Sequence, residues 1–107
     1  MCNVTRYNSN MILSFADQTT EDVFNGLQSK ASRKFPVQLH RSAQRRLDYL
    51  NRAESLEDLK SPPGNRLHSL SGDRSGTWSI SINEQWRITF IWAETEGPDE
   101  VKIEDYH

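Results

Sequence analysis

The chain has 107 residues, 35% hydrophobic and 26% charged, with three tryptophans; this is enough apolar material for one packed core and too little length for two. No run approaches the roughly 18 apolar residues of a membrane span, and MCNVTRYNSN has neither the apolar stretch nor the cleavage site of a secretory leader, so a cytoplasmic protein without membrane association is expected. The single Cys2 excludes an internal disulfide, and the net charge of -2 hides a basic middle, where Lys30, Arg33, Lys34, Arg41, Arg45, Arg46 and Arg52 face only Asp48 within residues 30–52.

Residues 1–10 are polar and patternless and read as an N-terminal extension; residues 11–107 read as one domain. MILSFA is a short apolar run suited to a first strand. Thr19 or Thr20 followed by EDVF has the form of a helix N-cap with acids in the first turn, and Gly26 ends that helix. Pro36 opens the longest periodic segment, in which Leu39, Ala43, Leu47 and Leu50 make one apolar stripe while Arg41, Arg45, Arg46 and Arg52 spread over the rest of the surface. Such a helix is either a solvated face or a local binding surface for a polyanion. A further short turn begins near Ser55, and Pro62, Pro63 and Gly64 terminate it.

Beyond Gly64 the period falls from about 3.6 to two. RLHSL reads as a strand, SGDRSG as a hairpin connection, TWSISI and WRITFIW as alternating strands, ETEGPDE as a polar connection and VKIEDYH as the last strand. The expected fold class is therefore α+β, an N-terminal strand and helices packed on one face of an antiparallel sheet. With Trp86, Ile88, Phe90 and Trp92 turned to the helices, Arg87 points to the open face.

His68 and the terminal Glu104, Asp105, Tyr106 and His107 join Arg87 as candidates. A guanidinium forks onto a phosphate, imidazoles exchange protons near neutrality, and a phenol stacks on a base or moves a proton. That set suits metal-independent cleavage of an RNA phosphodiester, in which a ribose 2'-hydroxyl is the nucleophile. Each residue also has a structural alternative: His68 as an exposed strand residue, Arg87 paired with Glu104 or Asp105, Tyr106 packed. The histidines 40, 68 and 107 make no metal-ligand spacing and the glycines no phosphate loop, so no metal or cofactor is expected.

In order, RLH, GDR, WRITF and the final DYH resemble the HigB, or plasmid-maintenance killer, family of toxins in the RelE/ParE superfamily, over about Met11 to His107. The resemblance implies a RelE-like fold, a toxin that cleaves mRNA on the ribosome, and neutralisation by a HigA-like helix-turn-helix antitoxin, the toxin alone being monomeric and the complex higher-order. It implies His68 and His107 for proton transfer, Arg87 for the phosphate, and Asp105 and Tyr106 for positioning. Base and acid stay open between the histidines; an α-carboxylate on His107 would favour its protonated ring and hence the acid role. Where the family often has lysine this chain has Ser71, a departure that would either weaken activity or shift a phosphate contact to Arg66 or Arg74. Lys34, Arg41, Arg45 and Arg46 would then contact ribosomal RNA. Two other readings fit the superfamily: a ParE-like toxin that binds DNA gyrase without cleaving RNA, and a decayed member that only binds antitoxin.

Overall fold

The computed structural model describes residues 11–74, 76–93 and 96–105. Within them, helices α1 (Gln18–Asn25) and α2 (His40–Arg52) pack on a four-stranded antiparallel sheet of order β1 (His68–Ser69), β2 (Thr77–Ser81), β3 (Trp86–Ala93) and β4 (Gly97–Asp105). The expected architecture holds, and residues 1–10 lie outside the described part.

Helix α1 is capped two or three residues earlier than the threonines suggest. Asp17, extended at φ -149, is the cap, and its carboxylate accepts the Thr20 N–H at 2.9 Å. Thr20 is instead fully buried, and its Oγ1 accepts the Ile103 N–H of β4 at 2.9 Å, which ties the helix to the sheet. Gly26 ends the helix at φ 74, with its N–H returned to the carbonyls of Asp22 and Val23.

Pro36 and a 3-10 turn at Val37–Leu39 lead into α2, whose Ala43, Leu47 and Leu50 are completely buried. His40 belongs to this core: its ring stacks on Phe35 with centroids 5.6 Å apart, and its Nε2 lies 3.0 and 2.9 Å from the carbonyls of Ser32 and Phe35. The sheet supplies the other wall. Ile80 faces Ile88 and Ile88 faces Ile103 across the strands, all inward, and Trp86 sets its edge on Phe35 at 5.0 Å.

The segment expected as a first strand runs along the outer edge of β4. Leu13 and Ala16 donate to the carbonyls of Pro98 and Val101, each at 2.8 Å, and Val101 returns a bond to Ser14, but only Phe15 and Val101 form a parallel bridge. The ladder stops there because β4 itself is irregular. Thr89 pairs with Lys102 whereas Ile91 pairs with Asp99, so β4 carries one residue more than β3 between these pairs. Glu100, at φ 50, lies in this bulge.

Other boundaries also differ from those expected. Strand β1 is only His68–Ser69, because Arg66 takes the left-handed conformation at φ 50 and breaks the extended run. The connection after β1 winds into a 3-10 turn at Gly72–Arg74. Strand β4 starts at Gly97, since Pro98 is buried against the core and pairs with Trp92.

Candidate active site

The strands alternate as expected, so one sheet face is apolar under the helices and the other is polar. Cross-strand partners share a face, and the pairings His68 with Ser79, Ser79 with Thr89, Thr89 with Lys102, Ser81 with Arg87 and Arg87 with Glu104 define that open face.

Arg87 is held by its neighbours. Its Nε donates to Ser79 Oγ at 2.9 Å, and a terminal nitrogen donates to the Arg66 carbonyl at 3.2 Å. Ser79 is completely buried, so its hydroxyl is fixed by packing. The Arg66 carbonyl is aimed by the left-handed backbone at that residue, and the turn before it is pinned by buried Asn65, whose Nδ2 donates to the carbonyls of Leu59 and Ser61 at 3.1 and 3.3 Å. A non-glycine residue at positive φ costs about 1 kcal/mol. That cost places a carbonyl on the guanidinium. Arg66, Leu67, His68 and Arg87 line one open cleft of about 330 Å³, and His68 is exposed at its mouth.

The other predicted residues separate. Arg74 lies not in this cleft but in a second one, of about 240 Å³, with Ala16, Thr77, Thr89, Ile91, Glu100, Lys102 and Glu104 among its walls. There it makes a two-toothed ion pair with Glu104, at 3.1 and 2.7 Å, while Thr89 Oγ1 donates to the same carboxylate at 2.7 Å. These bonds, Arg74's first, hold the Glu104 carboxyl below the usual carboxylate range although partial burial opposes them. The same pair raises the Arg74 guanidinium. Glu104 therefore partners Arg74, where the sequence offered Arg87. Asp105 pairs with Trp86, one residue out of phase with the Arg87 face, and accepts from Gln85 Nε2 at 3.0 Å. Tyr106 and His107 lie outside the described residues.

Of the basic residues, Lys34, Arg41 and Arg45 are exposed, with Arg41 and Arg45 one turn apart on α2. Arg46 is different: it is half-buried, donates to Asn65 Oδ1 at 3.3 Å, and holds its guanidinium carbon 6.0 Å from the Tyr49 ring centre. It braces the turn that aims Arg66. Sequence reasoning missed Ser79, Thr89 and Lys102; only the alternation of TWSISI and WRITFIW, followed into the register, could have pointed to the serine and threonine.

The profile of the family described as the RelE-like toxin of type II toxin-antitoxin system HigB matches residues 13–107, nearly the whole chain and the entire open face. The chain belongs to the HigB family of RelE-like toxins. Toxin HigB-1 of Vibrio cholerae is 34% identical over 84 residues, covering 78% of this chain and 86% of that protein. Endoribonuclease HigB of Proteus vulgaris is 45% identical over 42 residues, covering 39% of this chain and 45% of that protein. As a type II toxin, this HigB-family chain has an antitoxin as its partner. None of its described helices is long and apolar enough to cross a membrane.

Proposed function

We propose that the chain is an endoribonuclease toxin that cleaves mRNA on the ribosome and so stops translation. The observation that carries this reading is the clamped Arg87: a guanidinium fixed by Ser79 and by the Arg66 carbonyl, in one cleft with the imidazole of His68. A held cation beside an imidazole, which can donate or accept a proton, is what phosphodiester transfer requires. The name of the Proteus vulgaris relative, an endoribonuclease, agrees with it.

The reaction follows from these groups. A base takes the proton of a ribose 2'-hydroxyl, and the oxygen attacks the adjacent phosphorus. Arg87 carries the charge that builds on the non-bridging oxygens. As the bond from phosphorus to the 5'-oxygen breaks, an acid gives that oxygen a proton, leaving a 2',3'-cyclic phosphate and a 5'-hydroxyl. His68 and His107 exchange the protons; Tyr106 and Asp105 position them, Asp105 from beside Gln85. The phosphate contact that the family often assigns to lysine at the position of Ser71 passes to Arg66, which lines the cleft, rather than to Arg74, which is bound to Glu104. Lys34, Arg41 and Arg45 contact ribosomal RNA, and a HigA-like antitoxin neutralises the toxin.

The test is to induce the protein in growing cells and map mRNA ends, beside His68→Gln. New ends within translated codons from wild type, lost in the variant, are expected; growth arrest without new ends contradicts the reading.

A further inference from the structure

The carbonyl that meets Arg87 belongs to a residue in an unfavourable conformation. Arg66 sits at φ 50, ψ 54, and relaxing from there to the extended region would swing its carbonyl away from the guanidinium. The left-handed state needs a hold, and the residue before it supplies one. Asn65 is completely buried, with backbone and side chain both engaged. Its N–H donates to the Pro62 carbonyl at 2.9 Å, its Nδ2 to the carbonyls of Leu59 and Ser61, and its Oδ1 accepts from Arg46 Nη1 at 3.3 Å. One amide thus joins the 3-10 turn at Leu56–Lys60, the proline turn and helix α2.

Arg46 closes this arrangement from the helix. Arg41 and Arg45 are exposed on α2, whereas Arg46 is half-buried, and a Cβ at Gly64 would stand 3.9 Å from its Nη2. The guanidinium therefore lies against the turn itself. No carboxylate among the described residues pairs with it; its partners are the Asn65 amide and the Tyr49 ring. A half-buried cation without a counter-charge, set on the side chain that fixes Arg66, links α2 to the guanidinium of the first cleft.

We infer that Asn65, held by Arg46, is a positioning residue for RNA cleavage: it keeps the Arg66 carbonyl on Arg87, and so keeps Arg87 on the scissile phosphate. The inference rests on the nuclease reading. It also separates Arg46 from its basic neighbours, since Arg41 and Arg45 act on ribosome affinity and Arg46 on turnover.

The experiment measures single-turnover cleavage of ribosome-bound message, and ribosome affinity, for wild type, Asn65→Ala, Arg46→Met and Arg46→Lys. Val23→Ala serves as a protein weakened in the core at α1, outside the cleft. All are assayed well below their melting temperatures. Asn65→Ala and Arg46→Met should lose about five- to tenfold in rate, the worth of one oriented hydrogen bond, with ribosome affinity within about twofold of wild type. Arg46→Lys, which can still donate to Asn65, should recover part of the loss, and Val23→Ala should cleave at the wild-type rate. In an Arg87→Ala background neither Asn65→Ala nor Arg46→Met should cost anything further, because a residue acting through Arg87 then has nothing to position. Should Asn65→Ala not fold, Arg46→Met carries the same comparison. An unchanged rate in Arg46→Met, full additivity with Arg87→Ala, or equal slowing by Val23→Ala overturns the inference. If wild type makes no cuts, the nuclease reading fails by itself, and positioning is read from proton–nitrogen NMR of the Arg87 guanidinium. Separate Nη signals in wild type that merge in Arg46→Met and not in Val23→Ala uphold the hold on Arg87; signals unchanged by Arg46→Met overturn it.

Discussion

Two arginines on one sheet face are held in different ways. Arg87 is gripped by a serine hydroxyl and a backbone carbonyl in a cleft walled by Arg66 and His68. Arg74 is gripped by the carboxylate of Glu104 in a cleft that also holds Glu100 and Lys102. A carboxylate orients a guanidinium and offsets its charge together, whereas the serine hydroxyl and the backbone carbonyl orient it as neutral acceptors.

The largest effect that would separate the clefts comes from the cation of the first. Arg87→Ala should lower the cleavage rate by about 10²–10³-fold, the usual loss when a transition-state donor is removed. Single-turnover assays on ribosome-bound message would measure it, and a loss under tenfold would mean that the charge is supplied elsewhere.

Next comes the clamp. Ser79→Ala removes the hydroxyl on Arg87 Nε and should cost about tenfold in rate, with Ser79→Thr restoring much of it. The loss should fall on turnover rather than on affinity for ribosomes, which distinguishes mispositioning from damage to the fold.

The basic helix predicts a different dependence. Replacing Lys34, Arg41 and Arg45 together by alanine should weaken ribosome binding and flatten its dependence on salt, by about 0.7–0.9 in the log–log slope for each phosphate these side chains neutralise. Adding Arg46→Ala should lower the melting temperature instead, because that side chain braces Asn65. An unchanged slope would return the helix to a solvated face.

The smallest effect belongs to the ion pair of the second cleft. The folded-state pKa of Glu104 is depressed, so its stabilisation is present in full above the ordinary glutamate value and is lost as pH falls through the folded value. For a pair this exposed, the contribution is about 0.5–1 kcal/mol. Thermal melts of wild type and Glu104→Gln should differ by a few degrees at neutral pH and converge in acid; a constant difference would assign the effect to packing.

How far the sequence anticipated this depends on the range of each interaction. Local periodicity marked the stripe of Ala43, Leu47 and Leu50 and the alternation that turns Arg87 outward, because both follow from 3.6-residue and two-residue repeats. Gly26 was legible for the same local reason. The cap at Asp17 was not, since Thr20 is equally suited to the role and is withdrawn from it by a bond to Ile103, 83 residues away in sequence. Arg46 reads as one more surface cation until the turn at residues 62–66 comes back to meet it. Sequence alone set Glu104 or Asp105 against Arg87; a fork from the 3-10 turn before β2 gives Glu104 to Arg74 instead. The bulge at Glu100 leaves no trace in composition, because Glu100 is neither glycine nor asparagine. The part of the site nearest the chain's end, Tyr106 and His107, stands on the family resemblance.

The central claim is that the Arg87 cleft cleaves RNA through its 2'-hydroxyl, and the chemistry of the cut ends tests it most directly. Message from cells producing wild type or Arg87→Ala would be sequenced with adapters that distinguish 5'-hydroxyl from 5'-phosphate ends. The account predicts new 5'-hydroxyl ends matched by cyclic or 3'-phosphates, at least about 100-fold fewer with Arg87→Ala. New ends bearing 5'-phosphates, or equal numbers from both proteins, would contradict it.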